Sequence, residues 1–105
     1  MGEVMYGNII SIYELAKYIG RADVVVIDIR ERSKYKMEHI PGAISVNEDG
    51  IYETIEKYIN YSMIIIYCDY GNAAMKVVRE LCDKYKCKNI YNLYGGYNAY
   101  KNRKF

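Results

Sequence analysis

The stretch Met63-Ile64-Ile65-Ile66-Tyr67-Cys68-Asp69-Tyr70-Gly71-Asn72-Ala73-Ala74 most constrains what this chain can fold into. Its first five residues are apolar or aromatic and three are β-branched. That is the composition of a strand covered on both faces, as in a parallel sheet. The run stops at Cys68. Asp69, Gly71 and Asn72 are turn formers, and Ala73 to Leu81 consists mostly of good helix formers. A cysteine therefore leaves a buried strand, a tight loop follows, and a helix starts within about five residues. Backbone N–H groups and a helix N-terminus are thereby aimed at the sulfur. Both favour an anion there, the condition for a nucleophilic thiol. A buried structural cysteine at a strand end is the competing reading, and this stretch alone leaves both open.

The rest of the chain supplies partners for such a strand. Gly7 to Ile10 reads as a short edge strand. Ser11 and Glu14 form a capping box before Ile12, Leu15, Ala16 and Ile19, which share one helical face, and Gly20 reads as the C-cap. Val24 to Ile29 is a second buried strand with polar residues at its carboxyl end. Glu31 to Met37 predicts a short helix, His39 to Ala43 a turn fixed by Pro41 and Gly42, and Ala43 to Val46 a third strand. After a loop at Asn47, Asp49 and Gly50, residues Ile51, Ile55, Tyr58 and Ile59 line a helix ending near Asn60. Beyond the cysteine loop, Ala74, Val77, Val78, Leu81, Cys82 and Tyr85 share a face, which makes Cys82 a core residue. Lys88 to Leu93 is a further strand, Tyr94-Gly95-Gly96 a turn, and Tyr97 to Arg103 a last short helix. Strands alternate with helices throughout. The predicted class is α/β: a mainly parallel sheet with helices on both faces, in a single domain over residues 1–105. In such folds ligands bind at the carboxyl ends of strands, which strengthens the functional reading of Cys68.

Composition narrows the function classes. Fifteen basic and 13 acidic residues leave a net charge of +2, too balanced to argue for nucleic acid or a membrane surface. Cys68, Cys82 and Cys87 have neither Cys-x-x-Cys spacing nor an even count, so no disulfide framework is expected. No metal site is expected either, since His39 stands in no recognisable zinc spacing. The stretch from Met1 to Ser11 lacks a signal-peptide pattern, Tyr6 spoils a myristoylation match, and the apolar runs are too short to span a bilayer. A cytoplasmic setting with free thiols is the expectation.

Three motifs, in order, resemble the rhodanese-like (sulfurtransferase) domain family. Val26 to Glu31, then Tyr35 and His39-Ile40-Pro41-Gly42-Ala43, are similar to its first signature. Cys68-Asp69-Tyr70-Gly71 is similar to its Cys-x-x-Gly loop. Asn89 to Tyr97 is similar to its Leu-x-Gly-Gly tail. The resemblance implies a five-stranded, mainly parallel sheet and one catalytic cysteine. That cysteine takes sulfane sulfur from a small-molecule or protein donor, becomes a persulfide, and passes the sulfur to a thiol or other nucleophilic acceptor, with no cofactor. Carried over, Cys68 is the nucleophile, and the backbone of Asp69, Tyr70, Gly71, Asn72, Ala73 and Ala74 cradles the terminal sulfur. Two positions depart from the family. Active members often carry arginine directly after the cysteine and again five positions after it; here those places hold Asp69 and Ala73. A poor grip on an anionic donor such as thiosulfate is the expectation.

Asp28 and Arg30 are read as an ion pair anchoring the loop after their strand rather than as substrate contacts. His39 is read as part of the structural turn rather than as a base for Cys68. Gly95 and Gly96 serve a tight turn near the active loop. Two other functions compete. One is a catalytically idle module of the same family that binds a partner protein, which Asp69 and Ala73 favour. The other is a phosphatase or arsenate reductase on a related loop. That chemistry needs Cys-x5-Arg spacing, and position 74 is Ala74, with Arg79 the next arginine.

Overall fold

The structure is a computed structural model and describes residues 8–104. Gly7 of the expected first strand, and Met1 to Tyr6, read above for leader signals, lie outside the described residues. The elements in chain order are β1 (Asn8–Ile10), α1 (Ile12–Tyr18), β2 (Val24–Asp28), α2 (Arg32–Met37), β3 (Ile44–Ser45) and α3 (Ile51–Thr54). A 3-10 turn (Ile55–Lys57), β4 (Met63–Tyr67), α4 (Asn72–Tyr85), β5 (Ile90–Leu93) and α5 (Gly96–Lys101) follow. The five strands form one sheet in the order β1-β5-β4-β2-β3, and every neighbouring pair is parallel. All carboxyl ends therefore meet at one edge, where Asp28 of β2 lies in register with Tyr67 of β4.

Side-chain alternation along β2 and β4 splits the core in two. Val25, Ile27, Ile64, Ile66 and Cys68 pack with Ile51 and Ile55 of the α3 segment and with Ala74, Val77, Val78, Leu81 and Cys82 of α4. Val26, Ile65 and Tyr67 pack on the opposite face with Leu15 of α1 and Tyr97 of α5. The central strands are covered on both faces, which is why they read as near-continuous apolar runs.

Local chemistry sets the ends. Ser11 and Glu14 make the reciprocal capping box, the Ser11 side chain accepting from Glu14 N at 3.1 Å and Glu14 accepting from Ser11 N at 3.1 Å. Ile19 is the C-cap of α1, and Gly20 follows in the left-handed region. The helix expected from Ile51 to Asn60 is shorter, because α3 ends at Thr54 and tightens into the 3-10 turn. The chain beyond is held outside a helix by Asn89, whose side-chain amide donates to the carbonyls of Ile59 and Tyr61 at 3.0 and 2.8 Å. The last helix stops at Lys101 rather than Arg103.

Candidate active site: the loop after the fourth strand

Cys68 leaves β4 with its side chain turned toward the α4 face. The loop doubles back because Gly71 sits at φ +104°, and α4 starts at Asn72. This turn brings Gly71 N within 3.1 Å and Ala74 N within 3.3 Å of the Cys68 sulfur, and both N–H groups donate to it. They belong to the N-terminal edge of a 14-residue helix, where backbone donors lack intrahelical partners and the dipole is positive. The sulfur is thus an acceptor in a cradle suited to negative charge. Cys68 is nonetheless only 7% exposed and belongs to the core cluster, so its sulfur is buried as well as cradled.

The glycine pair closes the loop from behind. Tyr97 N and Asn98 N donate to the carbonyls of Cys68 and Asp69 at 2.8 and 2.9 Å. A Cβ on Gly96 would lie 2.5 Å from the Cys68 oxygen, so only glycine lets the start of α5 reach the cysteine peptide. Gly95 precedes it at φ +77° and caps α5.

Asp28 and Arg30 form a buried ion pair. The Arg30 backbone N–H and its Nε donate to Asp28 Oδ1 at 2.8 and 3.1 Å, Nη2 donates to Oδ2 at 2.9 Å, and Nη2 also donates to the Glu38 carbonyl at 2.8 Å. The guanidinium stacks over Tyr97, 4.2 Å from the ring centroid. Burial works against its charge, and the Asp28 carboxylate more than offsets that, leaving Arg30 more basic than usual. On the other side, Tyr67 donates nothing to solvent: its hydroxyl accepts from Ile40 N at 3.1 Å, and burial followed by the Asp28 carboxylate pushes its pKa upward. His39 packs within its own turn. Its ring stacks on Tyr35 with centroids 3.8 Å apart, and Nδ1 lies 2.7 Å from the Tyr35 carbonyl, an arrangement that holds the turn before β3.

Sequence reasoning missed what surrounds Asp69. Its carboxylate takes Lys34 Nζ of α2 at 2.8 Å and stands 3.8 Å from Arg30 Nη1. Lys34 is held more basic than usual, chiefly by that hydrogen bond and then by the charge of Asp69. Lys34 and Asp69 are 35 positions apart, and no local pattern pairs them. The one available signal was topological: α2 begins four residues after β2 ends, at the same sheet edge as the cysteine loop. A cleft of about 360 Å³ opens over Cys68, lined also by Ala73, Ile29, Arg30, Lys34 and Asp69 and by Glu31, Asn47, Glu48 and Asp49. Among the described residues no group of His, Cys, Asp and Glu is arranged to hold a metal ion, and no helix is long and apolar enough to cross a membrane. Tyr70, at the loop apex, is exposed.

This arrangement can hold an anionic sulfur, or a second sulfur bonded to it, at the floor of an open cleft. The chain is 29% identical over 98 residues to a thiosulfate sulfurtransferase, GlpE, of Coxiella burnetii, across 93% of this chain and 90% of that protein. It is 35% identical over 86 residues to the adenylyltransferase and sulfurtransferase UBA4 of Eremothecium gossypii, across 72% of this chain but only 19% of that larger protein. The fold superposes on a thiosulfate sulfurtransferase from Pseudomonas aeruginosa with a TM-score of 0.78 at 23% identity, over 96% of this chain and 19% of that one. The model of the rhodanese-like domain matches residues 11–103, and this chain belongs to that family.

Proposed function

We propose that this chain, as one rhodanese-like unit, is a sulfurtransferase or sulfur carrier working through a persulfide on Cys68. The observation that carries the reading is the pair of N–H donors from Gly71 and Ala74 on the Cys68 sulfur. The Cys68 thiolate attacks the outer sulfur of a donor, a sulfur–sulfur bond forms, and the donor leaves with the electrons of the bond it loses. The terminal persulfide sulfur is an anion, and the loop from Asp69 to Ala74 offers it backbone dipoles without reorganisation. A nucleophilic acceptor, such as a thiol, then takes that sulfur, and Cys68 leaves as thiolate. Asp28, Arg30, His39, Gly95 and Gly96 hold the loop and take no part in the transfer.

The donor is a neutral or protein-bound persulfide more readily than thiosulfate. Thiosulfate is a dianion, and among the described residues the cleft has no surplus positive charge to meet it: Arg30 is committed to Asp28, Lys34 to Asp69, and Glu31, Glu48 and Asp49 also line it. A unit charge at about 5 Å with an effective dielectric near 20 is worth roughly 3 kcal/mol, and solvent at an open cleft removes half or more of it. Ala73→Arg restores one cation beside the sulfur without disturbing the Asp69 contacts. It is expected to raise kcat/KM for thiosulfate by about tenfold, with added salt eroding the gain. A native protein already fast with thiosulfate, or a folded variant that gains nothing, would sink the charge argument. The alternative, an idle partner-binding module, is favoured by the closed Asp69–Lys34 pair at the mouth; it requires that no donor places sulfur on Cys68.

A further inference from the structure

Two cations line the cysteine cleft, and they differ in freedom. Arg30 is buried, bonded to both Asp28 oxygens and to a backbone carbonyl, and stacked on Tyr97. Moving it would strip a buried carboxylate of its partner. Lys34 is half-exposed, sits on a flexible four-carbon stem, and bonds a carboxylate that is itself open to solvent. It reaches the loop from α2, and its bond to Asp69 is the kind of exposed ion pair that contributes little stability. An anion entering the cleft competes with Asp69 for the same ammonium group.

We propose that Lys34 is the residue that contacts the anionic part of a substrate bound over Cys68, and that Asp69 regulates this contact by occupying Lys34 when the cleft is empty. The inference rests on the Cys68 cleft being the reactive site. Positive charge reaches the cleft here from the neighbouring helix, and the acidic residue at position 69 is its counterion. A purely long-range role for Asp69 is a different claim. If Asp69 acted only by its field, removing it would help an anion equally with or without Lys34. If it acts by occupying Lys34, most of the benefit of removing it disappears once Lys34 is gone.

The experiment compares alkylation of Cys68 by iodoacetate, an anion, with alkylation by neutral iodoacetamide. The ratio of the two rates cancels changes in intrinsic thiol reactivity and does not require sulfur transfer. The native protein, Lys34→Met, Asp69→Asn and the double variant are measured, with Lys34→Arg as the charge-preserving control. Asp69→Asn is expected to raise the ratio by roughly threefold to tenfold, and Lys34→Met to lower it strongly in the Asp69→Asn background but weakly in the native one. Lys34→Arg should keep the native ratio. Equal effects of Lys34→Met in both backgrounds, or none in either, would overturn the proposal, provided the variants keep the native denaturant midpoint within error. Sulfur loading of Cys68 from a low-molecular-weight persulfide is read in parallel by intact mass. Coupled alkylation ratios without loading in any variant would uphold Lys34 and refute the sulfurtransferase reading. Loading with uncoupled ratios would do the reverse.

Discussion

The two ends of α4 each hold a buried cysteine, and they treat it in opposite ways. At the N-terminal end Cys68 is 7% exposed and its sulfur accepts from two backbone N–H groups. At the C-terminal end Cys82 is 4% exposed and its sulfur instead faces the Ile90 carbonyl at 3.8 Å, as a weak donor. Burial does not distinguish them. The partners of the sulfur do: at Cys68 two N–H groups at the helix start favour a sulfur anion, whereas the Cys82 thiol faces the Ile90 carbonyl of β5. For Cys82 burial comes first, then the neighbouring Cys87 sulfur, and together they push its pKa up to about 11. Cys87 is half-buried and shifted upward as well, again by burial first. The reading proposed for Cys68 therefore rests on what meets its sulfur, since its depth in the core is close to that of Cys82.

The largest effect expected from this contrast is selectivity of alkylation. At pH 8 a thiol with a pKa about 11 is roughly one part in a thousand thiolate, so limiting iodoacetamide should label Cys68 and leave Cys82 untouched. Peptide mapping reads the result, and preferential labelling of Cys82 or Cys87 in the folded protein would invert the comparison. Next come charges placed at the two ends. Cys82→Asp sets a carboxylate against a carbonyl inside the core and is expected to cost about 3–5 kcal/mol in denaturant unfolding. Cys68→Ala removes a packed thiol and leaves two N–H groups without their acceptor, for about 1–2 kcal/mol. Equal losses would mean that the two sulfurs are held alike. The alkaline pH dependence is smaller. Because folding raises the pKa of Cys82 from the ordinary thiol value, its contribution is fully present below about pH 8.5 and is lost as pH rises toward 11. The loss, about 2–3 kcal/mol, should be absent in Cys82→Ala, which separates it from the titration of the tyrosines.

What the sequence made legible divides along the same physical line. Val24 to Ile29 and Met63 to Tyr67 announced central parallel strands because both their faces are buried, and Ser11 with Glu14 announced α1 because a capping box is local chemistry. The cysteine loop was legible as a strand, turn and helix start in succession. Local pattern could not reveal what distant segments do to one another. Asn89 ends the α3 segment from 28 and 30 positions away, and Lys34 meets Asp69 across the cleft. The depth of Cys68 was left open by its own stretch, and the Gly96 turn, which packs the start of α5 against its peptide, comes from a distant segment.

The central claim is that the N-terminal end of α4 makes Cys68 a sulfur acceptor while the other two cysteines are bystanders. Intact mass after incubation with a sulfur donor, thiosulfate or a low-molecular-weight persulfide, tests it most directly. The expected result is a gain of one sulfur atom, mapped to the Cys68 peptide, reversed by thiol reductant, absent in Cys68→Ser and unaffected by Cys82→Ala or Cys87→Ala. No gain with any donor, or a gain that survives in Cys68→Ser, would contradict it.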